Sequence, residues 1–265
     1  MKKLLLIILI MGCTTEPTDC AGVENGTAVV DDCGVCGGNG TSCVTDIDGN
    51  VYETVQIGEQ LWMAENLKTT KYRDGSAIPT GYSYVEWANL YSGAYDIYPA
   101  DDDSASIATC GDNCSDIYGN LYNWYALGDV RGICPEGWHI SSDAEWMELE
   151  IYLGMCESGT DCANDQGWRG TDEGSQLAGN ADLWNDSNLE SNSKFGTSGF
   201  TVLPSGCYGH QVMSYDRMGL NTFFWTSSEY DIGRAWFRTL YYDYSAVSRT
   251  EGDKQKGFSI RCLKD

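Results

Sequence analysis

Apolar and polar residues alternate in short runs along most of this chain, and glycine, asparagine, aspartate or serine breaks each run after a few positions. Residues 51–57 (VYETVQI) and 60–63 (QLWM) each read as a strand, and Gly58-Glu59 between them suits a two-residue hairpin turn. Further short strands are expected at 200–203, 222–227 and 234–240. A last one is expected at 258–263, with Phe258, Ile260 and Cys262 on one face. Short strands between turn signals predict antiparallel pairing. The first hairpin is expected beside the final strand, bringing the domain ends close. Residues 118–127 (YGNLYNWYAL) are dense in aromatics, and their period fits a short helix or a strand equally.

One stretch has a different rhythm. In CPEGWHISSDAEW (residues 134–146), Trp138 and Ile140 alternate with polar neighbours as a half-buried strand. Ser142 then precedes Glu145 by three positions, a capping box in which hydroxyl and carboxylate each satisfy the other's backbone amide. Asp143 suits the positive end of the helix that follows. Trp146, Leu149 and Leu153 recur at i, i+3 and i+7 as one apolar stripe, and Gly154 is a stop. The pattern predicts a strand feeding the domain's one main helix, within an α+β domain of short antiparallel strands and long loops.

The chain starts MKKLLLIILIMGC. Lys2 and Lys3 precede an apolar run over 4–11, far short of the ~20 residues that span a bilayer. Residues 10–13 resemble a bacterial lipobox, which implies cleavage before Cys13 and acylation of its thiol. Several acyl chains on one cysteine anchor stably. The expected organisation is a signal peptide over 1–12, a lipid-anchored cysteine-rich spacer over 13–45 and one domain over 46–265, held at the outer membrane and cell surface.

Export changes the reading of the 12 cysteines, because an oxidising compartment favours disulfides. In the Gly/Asp/Asn-rich spacer, Cys20, Cys33, Cys36 and Cys43 are expected as disulfide staples for a segment with no core; zinc and redox roles stay open. In the domain, Cys134–Cys262 is expected to pin the helix entry to the last strand. Cys110 with Cys114, and Cys156 with Cys162, would close small loops. Setting Cys13 aside leaves eleven, and Cys207 is the candidate for the odd thiol.

The segments CPEGWHISSDAEW, GFTVLPSG (199–206), FFWTSSE (223–229), AWFR (235–238) and GFSIRC (257–262) occur in this order after DIDGNVYETVQIGEQLWMAENL (46–67). Together they closely resemble the Fibrobacter succinogenes major paralogous domain over roughly residues 46–265. The resemblance implies a distant likeness to the C-type lectin and formylglycine-generating-enzyme folds, and carries no established activity. Formylglycine-generating enzymes handle copper with a cysteine pair near the C-terminus. Cys262 stands alone there, so that activity is not implied.

Net charge of −23 opposes nucleic acid as a partner. Of two histidines, His139 is expected in a structural hydrogen bond, and His210 sits in a Gly/Tyr turn without a visible partner. No nucleophile elbow or phosphate-binding glycine loop is written in the chain, so catalysis and cofactors are not expected. Calcium is the one ion the Asp/Asn-rich loops suggest, Trp184-Asn185-Asp186 among them, but no ligand spacing calls for it. Seventeen tyrosines and nine tryptophans remain. Trp62, Trp138, Trp146, Trp225 and Trp236 sit in patterned elements and are expected in the core. Trp168, Tyr208, Tyr241 and Tyr242 lie in or beside loops and are the candidates for gripping a glycan or protein ligand, with Arg169 and His210 supplying polar contacts. The expected function is non-catalytic recognition or adhesion by a surface lipoprotein. An architectural envelope component and an uncharacterised enzyme remain as alternatives.

Overall fold

Strands β1 (Cys43–Thr45), β2 (Val51–Ile57) and β3 (Gln60–Met63) open the fold as an antiparallel run. Gly58 makes the turn between β2 and β3 at φ +60°, where a Cβ would meet the Tyr152 ring at 2.9 Å. The computed structural model describes residues 18–30, 33–34, 36–37, 42–99, 110, 114–156, 162–209 and 215–265. The leader, Cys13 and His210 lie outside them, as does the side chain of Cys162.

Helix α1 (Tyr84–Trp87), strand β4 (Tyr95–Asp96), helix α2 (Cys114–Tyr118), strand β5 (Leu121–Tyr122) and helix α3 (Trp124–Leu127) follow. The ambiguous aromatic stretch thus divides among a helix end, a strand and a helix. Strand β6 (Trp138–Ile140) feeds helix α4 (Asp143–Tyr152). Strand β7 (Gly167–Arg169), helix α5 (Glu173–Leu177) and strands β8 (Ser205–Tyr208), β9 (Tyr215–Met218), β10 (Asn221–Glu229), β11 (Arg234–Tyr241), β12 (Tyr244–Asp253) and β13 (Cys262–Lys264) complete the order. One sheet has the order β1-β2-β3-β13-β6, another β7-β12-β11-β10-β8-β9, and β4 pairs with β5. The architecture is mainly β-sheet with a few short helices. None of the described helices is long and apolar enough to cross a membrane.

β13 lies antiparallel between β3 and β6, with Leu263 opposite Trp62 and Cys262 opposite Ile140. The second strand of the first hairpin and the last strand of the chain are therefore neighbours, as expected. Both arms of the Ser142/Glu145 capping box form, and Trp146 and Leu149 are fully buried. Trp62, Trp146, Phe200 and Phe224 pack with ring centroids 5.3–5.6 Å apart. Burial contributes about 1.5–3 kcal/mol for each large side chain.

Two expected strands take another form. Residues 258–263 thread between the sheets: Phe258 bridges Tyr122, Ser259 bridges Phe224, and only then does β13 begin. Phe258 accordingly packs with Phe223, Trp225 and Phe237, whereas Ile260 and Cys262 join the cluster of Tyr52 and Tyr122. At 200–203 only Val202 makes a bridge, to Ala178. Thr201 has φ +54°, and the carbonyls of Phe200 and Thr201 accept from the buried Arg261 guanidinium rather than from a strand partner.

Disulfides join Cys134 to Cys262, Cα atoms 5.9 Å apart, and Cys110 to Cys114. Cys156 is also disulfide-bonded. In the spacer, Cys20 joins Cys36, and Cys33 joins Cys43, so the two cysteines of the Cys33–Cys36 run bond to different partners. Because Cys43 begins β1, the second bridge ties the spacer directly to the sheet. Cys207 carries a buried thiol.

Candidate functional site

β7 is the edge strand of the six-stranded sheet and runs antiparallel to β12, with Trp168 opposite Ser248 and Arg169 opposite Val247. Successive side chains on a strand point to opposite faces. Trp168 consequently stands 43% exposed while its neighbour Arg169 is buried. At the same end of the sheet β11 finishes at Tyr241 and β12 starts at Tyr244, and these two residues are in register. Their rings gather with that of Trp168. Trp168 stacks on Tyr244 at 4.5 Å and 11°, and Tyr241 lies 5.7 Å from Tyr244 and 6.5 Å from Trp168. Tyr242 meets Tyr241 edge-on at 4.7 Å and leans its own ring on the core.

Polar hollows flank these rings. One, about 470 Å³, is lined by Asn188, Asn192, Asp243, Tyr244 and Ser245. There the Asp243 carboxylate accepts from Ser187 Oγ at 2.5 Å and from Asn188 Nδ2 at 3.0 Å. Ser245 Oγ donates to the Thr171 carbonyl at 2.6 Å. The other, about 450 Å³, is lined by Asp165, Gln166, Trp168, Arg169 and Gly170. Burial, and then the Tyr242 hydroxyl, push the Tyr241 phenol above its usual value, so it stays neutral at physiological pH. The arrangement is a stack of aromatic rings, Trp168 and Tyr244 each covering one face of the other, edged by amides, hydroxyls and a carboxylate. It suits an uncharged ligand that offers both a flat face and hydroxyl groups.

Two expected contact residues are committed to the interior, although Arg169 borders the second of these hollows. Arg169 Nη2 donates to both Glu150 carboxylate oxygens, at 2.8 and 2.9 Å, and its Nη1 donates to the Ala163 carbonyl. Glu150 also accepts from Arg238 Nε at 2.7 Å, while Asp143 accepts from Arg238 Nη1 at 2.6 Å and Arg249 Nη2 at 2.7 Å. Arg169 therefore belongs to a buried charge cluster between α4 and the sheet, and burial pulls its guanidinium below the usual value. Tyr208 is buried as well, because β8 lies inside the sheet between β10 and β9. Its ring packs on Trp87 at 4.9 Å and Tyr215 at 4.5 Å. The expected core assignment holds for Trp62, Trp138, Trp146 and Trp225, whereas Trp236 is half-buried beneath the Arg249 guanidinium, 3.6 Å from its ring centroid.

Tyr244, Asp243 and Asn188 escaped the sequence reading. The run Tyr241-Tyr242-Asp243-Tyr244 held the signal for the first two; nothing local marked Asn188. Trp184, in the Trp-Asn-Asp run weighed for calcium, is fully buried and donates to the Gly179 carbonyl. No group of three His, Cys, Asp or Glu able to hold a metal occurs among the described residues.

The family described as the Fibrobacter succinogenes major domain matches this chain over residues 55–264. No curated protein and no solved structure matches it significantly.

Proposed function

We propose, for a chain that belongs to the Fibrobacter succinogenes major domain family, a non-catalytic surface lipoprotein that recognises glycans through the aromatic face around Trp168. The observation that carries this reading is the half-exposed Trp168–Tyr244 stack, continued by Tyr241, at the sheet edge. Scattered exposed apolar residues are ordinary, whereas contiguous ones rimmed by polar groups mark binding surfaces. The flanking hollows favour a hydroxyl-rich ligand over an apolar protein patch, and the charge of −23 disfavours an anionic one. The carboxylates of Asp143 and Glu150 are neutralised by arginines, which supports a structural rather than an acid–base role for them. The pairing of the first hairpin with the final strand supports a C-type-lectin-like fold, and the leader pattern supports acylation of Cys13 and an outer-membrane location.

Glycan-array screening with and without calcium tests the reading. At least one glycan is expected to bind, and Trp168→Ala or Tyr244→Ala to weaken it roughly tenfold, about 1.4 kcal/mol. Binding unchanged in both variants, or confined to protein ligands, would overturn it. Failure to bind anything would favour the architectural alternative. The anchor has its own test: mass spectrometry should find acyl chains on a mature N-terminal peptide beginning at Cys13, and an unmodified Cys13 refutes it.

A further inference from the structure

A second hollow, about 410 Å³, opens where α3 and the turn after it meet residues 91–93. We propose that it is a separate binding site for one neutral glycosyl residue. Its walls include the rings of Tyr91, Trp124 and Tyr125, with Tyr72 among the lining residues. Tyr91 is 78% exposed and lies 5.9 Å from Tyr125. The other rings are braced. Trp124 Nε1 donates to the Thr226 carbonyl at 2.9 Å while Lys254 Nζ sits 4.3 Å over its ring, and the Tyr125 hydroxyl accepts from Gln255 Nε2 at 3.2 Å. Gly93 is needed where the chain closes on α3, since a Cβ there would fall 2.8 Å from the Ala126 Cα.

The polar group in the cleft is a forked ion pair. Arg131 Nε and Nη2 donate to the two Asp129 carboxylate oxygens at 2.8 and 2.7 Å, the Arg131 amide donates to the same carboxylate at 3.0 Å, and Nη1 donates to Ser76 Oγ at 2.8 Å. A carboxylate offers about four lone-pair sites and a guanidinium five N–H donors, so both keep spare capacity. The pair has no net charge. A cation would have to sit beside the guanidinium, and an anion would meet both Asp129 and the chain's charge of −23. An apolar peptide side chain would desolvate the pair without replacing its hydrogen bonds with water. A hydroxyl-edged ring satisfies walls and fork together. The volume is near the lower end of the ~300–1,000 Å³ range of ligand pockets, which fits one ring better than an extended chain.

This site is distinct from the Trp168 face. Strand β12 runs from Tyr244 on that face to Asp253, and the next residue, Lys254, covers Trp124 in the cleft. Ten residues at ~3.3 Å each separate the two by on the order of 30 Å. The test uses the full chain carrying Trp168→Ala, which weakens the first face about tenfold. Titration calorimetry would be run with neutral hexasaccharides of β-1,4-glucose, β-1,4-mannose and α-1,4-glucose, with a hexagalacturonate as the anionic control and an aromatic-rich peptide as the apolar one. One neutral probe should bind, and adding Tyr91→Ala, which removes an exposed ring, should weaken it at least tenfold at an unchanged melting temperature. The proposal is overturned if no neutral probe binds the Trp168→Ala protein, if Tyr91→Ala and Asp129→Asn both leave affinity unchanged, or if the galacturonate or peptide is preferred. Loss of all binding on Trp168→Ala alone would remove this site and leave the first face standing; loss on Tyr91→Ala alone, with Trp168→Ala silent, would do the reverse.

Discussion

His139 closes the entrance to α4 with both ring nitrogens. When protonated, it donates from Nδ1 to Asp265 at 2.7 Å and from Nε2 to Glu145 at 2.9 Å. Burial lowers its pKa, but Asp265 and Glu145 together raise it further, so the net shift is upward from 6.5. Glu145 is pushed up by burial and pulled down by the Ser142 amide and hydroxyl and by His139, ending below its usual value. The histidine's contribution to stability is therefore full below pH 6.5 and is lost as pH rises through its folded value. That of Glu145 is present above its unfolded value and is lost as pH falls through its folded one. NMR titration should place the His139 midpoint above 6.5, and His139→Gln should flatten the decline in melting temperature on the alkaline side; a midpoint at or below 6.5 would disprove the assignment. The capping box was readable because it closes within four residues. The opposite fates of adjacent Trp168 and Arg169 were not, because neither residue type nor spacing says which face of a strand meets the core.

Helix α4 carries two kinds of contact on its buried side. Trp146 and Leu149 enter the aromatic core, as the apolar stripe predicted, while Asp143 and Glu150, two turns apart, face arginines of the sheet. Arg238 and Arg249 are register partners on β11 and β12, so their like charges stand side by side and depend on the helix carboxylates for compensation. Removing one member of a buried ion cluster leaves uncompensated charge, at a cost of about 3–5 kcal/mol. Glu150→Ala should lose that much stability in urea unfolding, and a loss under about 1 kcal/mol would show that water or a neighbour replaces the carboxylate. Sequence pattern recognises apolar periodicity and passes over this second contact, since a lone charge in a helix reads as solvated surface. The segment at 258–263 misled for a related reason: its alternation is real, but its backbone partners change from Tyr122 and Phe224 to Ile140 and Trp62 within a few residues.

Across the whole molecule, β13 completes the five-stranded sheet from the far end of the chain, and the Cys134–Cys262 bridge lies beside that closure with a sequence separation of 128. A crosslink over such a loop contributes about 4–5 kcal/mol on the chain-entropy view. Replacing both cysteines by serine should lower the melting temperature markedly, and an unchanged melt would assign closure to strand pairing and the charge cluster alone. Local chemistry, decided within a few residues, was determined by the sequence: the Gly58-Glu59 hairpin, the capped helix after Ser142, the alternating strands and the family to which they belong. Register and sheet order, set by partners on other segments of the chain, decided the rest. They brought Trp168 to Tyr241 and Tyr244, carried Arg169 and Tyr208 inside, and buried two carboxylates under three arginines. Burial is a property of pairs of segments, and no single stretch of chain carries it.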